Sequence, residues 1–132
     1  MKIGALAQRA DVGIDTIRYY EREGVIPLPV RRESGYREYG DGDVVRLRFV
    51  RRAKQLGFTL PEIRDLLDLT ASASDDMAGL NMRAQAKLDD VNGRIDELVR
   101  MRDALQQLVV ACPGHGALDT CPIMAALSED VA

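Results

Sequence analysis

Ile14-Asp15-Thr16-Ile17-Arg18-Tyr19-Tyr20-Glu21-Arg22-Glu23-Gly24 is the stretch from which the fold can be read. Ile14, Ile17 and Tyr20 recur every three residues, the spacing of one face of a helix. Asp15, Thr16, Arg18, Tyr19 and Arg22 fill the other face, and Gly24 stops the run. Upstream, residues 2–10 predict a shorter helix with Ile3, Leu6 and Ala10 inward. Between the two, Asp11-Val12-Gly13 predicts a tight turn in which Gly13 supplies the backbone freedom. Two short helices joined this way outline a helix-turn-helix, whose second helix enters the major groove. Any αα-hairpin shares that outline. What sharpens it is the polar face of the second helix, whose groups suit phosphates and base edges.

Beyond Gly24, Pro27 and Pro29 predict an extended segment. Arg31-Arg32-Glu33-Ser34-Gly35-Tyr36-Arg37-Glu38-Tyr39 then predicts a small β-hairpin turning at Ser34-Gly35, a wing in which tyrosines interleave with cations. One tyrosine, Tyr39, is expected in the core instead. Asp41 and Asp43 precede a further helix and can cap it. Its apolar positions are Val44, Leu47, Val50 and Leu56, and Arg46, Arg48, Arg51, Arg52 and Lys54 crowd the remainder. So many cations in so short a span imply a nearby anion. Gly57-Phe58-Thr59-Leu60-Pro61-Glu62 makes a break and a restart, with Thr59 or Leu60 as cap, Pro61 in the first turn and Glu62 at the positive dipole end. Ile63, Leu66, Leu67 and Leu69 close a first domain over residues 1–70.

Residues 71–76 are small and polar and predict a linker. From 77 to 111, Ala84, Leu88, Val91, Ile95, Leu98, Leu105 and Val109 follow a 4-3-4-3 spacing with Arg102 in one slot. A narrow apolar seam of such length belongs to a coiled coil. The chain holds one such helix, so its partner is expected to be a second copy, giving a homodimer.

Charge divides the chain as well. Residues 1–54 carry 12 Lys/Arg against 8 Asp/Glu, a net of +4, whereas residues 70–132 carry 5 against 10, a net of −5. The basic half is expected to meet an anion and the acidic half to do something else. No run reaches membrane-spanning length and no export signal opens the sequence, so the expected compartment is the cytoplasm and no membrane partner is expected. Disulfides rarely persist there. The two cysteines and the one histidine lie within Cys112-Pro113-Gly114-His115-Gly116-Ala117-Leu118-Asp119-Thr120-Cys121. Thiols and an imidazole on one turn can converge on a soft or borderline metal ion. Residues 112–132 therefore predict a metal-binding loop with a short terminal helix.

Thr16-Ile17-Arg18-Tyr19-Tyr20-Glu21-Arg22-Glu23-Gly24, Gly35-Tyr36-Arg37-Glu38-Tyr39 and Leu56-Gly57-Phe58-Thr59-Leu60-Pro61-Glu62-Ile63 together resemble the MerR family of transcriptional regulators. Cys112 and Cys121-Pro122-Ile123 resemble its metal-sensing branch. The resemblance implies a mainly α fold: a winged helix-turn-helix with a β-hairpin wing, a second helix pair, and a long dimerisation helix forming an antiparallel coiled coil in the homodimer. It also implies an activator that binds double-stranded promoter DNA with overspaced elements. Such an activator distorts the DNA on binding its effector, so that RNA polymerase can use both elements. Carried over residue by residue, Thr16, Arg18, Tyr19, Tyr36 and Arg37 contact DNA, with Arg31 and Lys54 as further phosphate contacts.

For the effector, the resemblance points two ways. Divalent sensors have a further cysteine at the start of the dimer helix, where this chain has Met77 near Ser72, Ser74, Asp75 and Asp76. Two thiolates, and the Cys-Pro-Gly opening, resemble the branch that takes Cu(I) or another monovalent coinage-metal ion, Ag(I) or Au(I). The nine-position interval between the cysteines matches the divalent branch instead, and His115, with Asp119 or water, could complete a Zn(II) site. Met77 and Met124 could donate thioethers, although a methionine at helical spacing is more often core. Thiol oxidation to a Cys112–Cys121 disulfide is a further signal for the same regulator. An enzyme is not expected: nothing is placed to orient His115 as a base, and a glycine-rich loop preorganises poorly. An adaptor that dimerises without binding DNA is the other rival.

Overall fold

The structure, a computed structural model, describes residues 1–31, 37–72 and 76–128. It divides into two compact units, Met1–Lys87 and Leu88–Ala132.

The first unit is built from helices. α1 (Ile3–Ala10) buries Leu6, Ala7 and Ala10. The turn after it goes left-handed at Asp11 (φ 57), whose N–H bonds back to the Ala7 carbonyl. Gly13 keeps an ordinary φ of −73 and serves as the N-cap of α2 (Ile14–Arg22). The expected turn is present, but an aspartate takes the strained conformation, which its short polar side chain tolerates. In α2, Ile17 and Tyr20 are buried as expected, whereas Ile14 is 38% exposed. Gly24 leaves α2 at φ 73 and turns the chain so that Val25 N–H reaches the Tyr20 carbonyl at 3.0 Å. Val25 and Ile26 then drop into the core.

The β-hairpin wing expected over residues 31–39 is not borne out as an element. Two two-residue segments, β1 (Val30–Arg31) and β2 (Arg37–Glu38), pair antiparallel with Val30 opposite Glu38 and Arg31 opposite Arg37. The intervening 32–36, including Tyr36 and the turn expected at Ser34-Gly35, lie outside the described residues. A ladder of this length falls well short of an ordinary strand of about 5–6 residues. Pro29 precedes it without an N–H to donate, and the mainly charged stretch has no apolar alternation to bury. Among the described residues the fold is therefore mainly helical, with a helix-turn-helix and a long helix but without a hairpin wing.

α3 (Asp41–Gln55) buries Val44, Leu47, Val50 and Ala53. Asp43 accepts from the Gly40 N–H at 2.9 Å, which caps the helix as expected of an aspartate there. Leu56 falls in the turn beyond α3 and stays 59% exposed, so Ala53 takes the inward position expected of it. α4 (Leu60–Ser72) opens on a reciprocal cap: Glu62 N–H donates to Thr59 Oγ1, and Thr59 N–H donates to a Glu62 carboxylate oxygen. Ile63, Leu66 and Leu67 face inward. The core thus joins Leu6, Ile17, Val25, Ile26, Tyr39, Leu47 and Ile63, drawn from every helix of the unit up to α4 and from the segments between them.

α4 runs through Ser72, into the expected linker, and 73–75 lie outside the described residues. α5 (Met77–Ala111) then spans 35 residues. Its first turns belong to the first unit. In the second unit, Leu88, Val91, Ile95, Leu98, Leu105 and Val109 all lie exposed along the helix. After α5 comes a loop with one 3-10 turn (Leu118–Thr120) and a short helix α6 (Pro122–Leu127). Among the described residues, no helix is long and apolar enough to cross a membrane.

Candidate functional site

Two groups of side chains concern function, one in each unit. In the first, α2 presents Arg18 and Tyr19 to solvent, with Thr16 half-buried between them and the core face. Asp15 lies in its first turn and Arg22 in its last, each favourable toward the helix dipole. The Arg22 guanidinium stands 6.0 Å from the centroid of the Tyr19 ring, a cation–π distance. Tyr19 also packs tilted against Tyr20, centroids 6.0 Å apart. Burial, and then the neighbouring Tyr19, push the Tyr20 hydroxyl above its ordinary pKa, so it stays protonated at any physiological pH.

The inner face of α2 is held by polar contacts as well. Glu21 is buried, and the Tyr39 hydroxyl stands 3.3 Å from both of its carboxylate oxygens. Tyr39 itself is buried, as expected of one tyrosine of that stretch. At the carboxyl end of α2, Arg64 from α4 donates to the Glu23 carbonyl at 3.1 Å.

The cations of α3 turn out to be largely tertiary ties. Arg46 donates to the Val25 carbonyl at 3.2 Å, Arg48 to the Arg9 carbonyl at 3.3 Å, and Arg51 pairs with Asp11 at 2.9 Å. Arg9 in turn pairs with Asp41 at 2.8 Å. The anions that the crowded cations implied are thus partly the protein's own carbonyls and carboxylates. Lys54 lies exposed in the last turn of α3. Arg31 and Arg37 are placed by their backbone pairing, and Tyr36 lies outside the described residues.

Sequence reasoning missed a second set of ties. Lys87 of α5 is buried, donates to Glu62 Oε1 at 2.8 Å and stands 5.5 Å from the centre of the Phe58 ring. Arg83 pairs with the Asp65 carboxylate. These partners lie 25 and 18 positions apart, so no local pattern announces them.

In the second unit, Cys112 leaves the end of α5 and Cys121 caps α6. Both thiols are free and half-buried, with sulfurs 3.9 Å apart. That is nearly twice a disulfide bond of about 2.04 Å, and close to the roughly 3.8 Å between two thiolates bound tetrahedrally at 2.3 Å from one zinc-sized ion. Amide N–H groups of Met124 and Ile123, the former the stronger influence, together with Cys112, lower the Cys121 thiol below its ordinary pKa. The thiolate a soft ion needs is therefore favoured there. His115 Nδ1 is 3.2 Å from the Pro113 carbonyl, which can only accept, so Nδ1 is the donor in that contact. Asp119 is exposed in the 3-10 turn, Met124 is 45% exposed, and Met77 is 82% exposed in the first turn of α5. Among the described residues, no group of three or more His, Cys, Asp and Glu side chains converges as a ligand set. The donors that the structure brings together are two sulfurs.

Residues 1–70 match the model of the MerR HTH family of regulatory proteins, and residues 44–108 match the model described as MerR, DNA binding. The chain belongs to the MerR family. As a MerR-family protein it is a DNA-binding regulator and not an enzyme. It is 39% identical to a mercuric resistance operon regulatory protein of Serratia marcescens, over 98% of this chain and 89% of the relative. Among solved structures it is similar to the transcription regulator PbrR691 of Ralstonia metallidurans CH34 in complex with lead(II). That match has a TM-score of 0.87 at 33% identity and covers 97% of this chain and 99% of the other. It is similar also to the dual-function regulator MerR of Bacillus megaterium MB1 in complex with mercury(II), with a TM-score of 0.72 at 36% identity, covering 98% and 100%.

Proposed function

We propose that this MerR-family chain binds promoter DNA as a homodimer and activates transcription by RNA polymerase when a soft metal ion is held by Cys112 and Cys121. The observation that carries the reading is the pair of free, half-buried sulfurs 3.9 Å apart at the end of α5. Thiolates select soft ions, and two of them with no third His, Cys, Asp or Glu converging among the described residues suit a monovalent coinage-metal ion, Cu(I), Ag(I) or Au(I). Cys112, at the end of α5, and Cys121, at the start of α6, would hold the ion as thiolates.

On this reading Thr16, Arg18 and Tyr19 of α2 meet the major groove. Arg31, Tyr36, Arg37 and Lys54 supply flanking contacts, mostly to phosphate. A two-fold dimer presents two such helices to a pseudo-palindrome, and phosphate contacts on the flanks let the DNA take up strain at its centre. The ion has only to favour one dimer geometry over another by a few kcal/mol of differential affinity.

A second reading keeps the regulator and changes the ion to a divalent one. The mercuric name of one relative and the lead(II) and mercury(II) complexes of two others favour it, as does the match of the 3.9 Å sulfur separation to a tetrahedral pair of thiolates. On that reading His115 or Asp119 adds a donor. Anaerobic titration of the reduced protein with Cu(I), Ag(I), Zn(II), Pb(II) and Hg(II), followed by promoter transcription, separates the two. The first reading expects activation by Cu(I) and Ag(I), abolished by Cys112→Ser or Cys121→Ser and kept in His115→Ala. Activation by divalent ions alone, lost in His115→Ala, overturns it.

A further inference from the structure

The Arg64 guanidinium of α4 donates to the Glu23 carbonyl at 3.1 Å, just past the last turn of α2. The carbonyls at a helix end have no partner within the helix, and a cation there also meets the negative end of the dipole. The chain leaves this point through Gly24 at φ 73, and a Cβ built on Gly24 would stand 3.6 Å from Arg64 Nη1. The side chain therefore lies close over the end of α2.

α4 holds α5 with other residues of the same two turns. Glu62 accepts from Lys87, and Asp65 pairs with Arg83. Glu62 and Asp65 are three apart and share a face of α4, whereas Arg64 is about 200° around the helix from Glu62. One face of α4 thus grips the start of α5 and another caps the end of α2.

We propose that Arg64 is a positioning residue for DNA reading: through it, α4 fixes the carboxyl end of α2 in register with the first turns of α5. The inference rests on the reading that α2 enters the major groove. Arg64 acts on the DNA through the helix and not by touching phosphate. Displacement of α5 at Arg83 and Lys87 reaches α2 by way of α4.

The test is promoter affinity of the full-length protein, measured by fluorescence anisotropy across a range of salt concentrations. Wild type is compared with Arg64→Ala, Arg64→Lys, Arg83→Ala and the double variant Arg64→Ala/Arg83→Ala, with Arg18→Ala as control. A lost charged hydrogen bond at an exposed site should weaken binding about fivefold. The slope of log K against log salt should stay that of wild type, because no phosphate contact is removed. Arg64→Lys should restore most of the loss, and the two alanine substitutions should combine less than additively.

A slope shallower by about one charge in Arg64→Ala makes Arg64 a phosphate contact and overturns the proposal, as does unchanged affinity or strict additivity. Should Arg64→Ala fail to fold by circular dichroism, Arg64→Gln and Arg64→Lys carry the same comparison of affinity and slope. If Arg18→Ala also leaves binding intact, the reading of α2 has failed, not the role of Arg64 alone.

Discussion

Lys87 Nζ donates to Glu62 Oε1 at 2.8 Å, with the lysine side chain 9% exposed and the glutamate's 44%. The burial falls on the cation, which lies among the Phe58 ring and the α3–α4 turn. The bond to Lys87, then the Thr59 N–H, lower the Glu62 carboxyl from 4.5 to about 2. A carboxyl with a depressed folded pKa adds stability that is fully present above the unfolded value and is lost as pH falls through the folded one. The contribution should therefore be complete above about pH 5 and fade between 4.5 and 2. Lys87→Met should cost about 1 kcal/mol at neutral pH, the half-exposed glutamate being screened by solvent. It should also flatten this part of the acid limb. Urea unfolding midpoints from pH 7 to 2.5 check it, and an acid limb of unchanged steepness would refute the assignment.

Tyr39→Phe removes the hydroxyl that stands 3.3 Å from both oxygens of the buried Glu21. Volume is nearly conserved, so the expected loss is that of one buried hydrogen bond, about 1 kcal/mol. Urea denaturation should show a lower midpoint with an unchanged m-value. Because Glu21 lies on α2, promoter affinity should fall as well; a variant as stable as wild type would show that the contact contributes nothing.

The places where sequence and structure agree are those governed by short-range rules. The 4-3-4-3 seam and the small polar residues before it bounded α5 at 77 and 111, because each heptad position constrains its neighbours within one turn. Thr59 and Glu62, three apart, were readable as a cap for the same reason. The cations of α3 were legible as a cluster but not in their role: Arg51 meets Asp11 across 40 positions and Arg48 the Arg9 carbonyl across 39. Only packing α1 against α3 brings them together. Arg64, Arg83 and Lys87 escaped notice similarly, each looking like an ordinary solvated charge until its distant partner is known. The wing was overread because interleaved tyrosines and arginines describe a surface chemistry and not a strand, which needs a face to bury. In the loop, the cysteine spacing placed the two sulfurs together, while the presence of His115 nearby did not make it a third converging group.

Cys121 should react before Cys112. Its sulfur accepts from the Met124 and Ile123 amides, which lowers its pKa. More of it is thiolate at a given pH, and the thiolate is the nucleophile. Limited alkylation of the reduced, metal-free protein by iodoacetamide at pH 7.5, read by peptide mass spectrometry, should label Cys121 several-fold faster. Equal labelling at pH 7.5 would mean that the α6 amides do not tune the thiol.

The seam of α5 should decide the oligomeric state. Leu98 and Leu105 are each about 60% exposed in the single chain, among six apolar seam residues exposed along one helix. Each such side chain gains about 1.5–3 kcal/mol when fully buried, so covering the seam with a second copy is strongly favoured. Glutamates at both positions would instead have to be buried without partners, at a cost exceeding the gain they replace. Leu98→Glu/Leu105→Glu should sediment as a monomer and lose tight promoter binding, since one α2 reaches only one half-site. Asp96→Lys, a charge change flanking the seam, should leave the dimer intact. Both proteins should keep the fold of the first unit, which circular dichroism and a cooperative urea transition would report. A double glutamate variant that still sediments as a dimer would place the subunit contact elsewhere than on this face of α5.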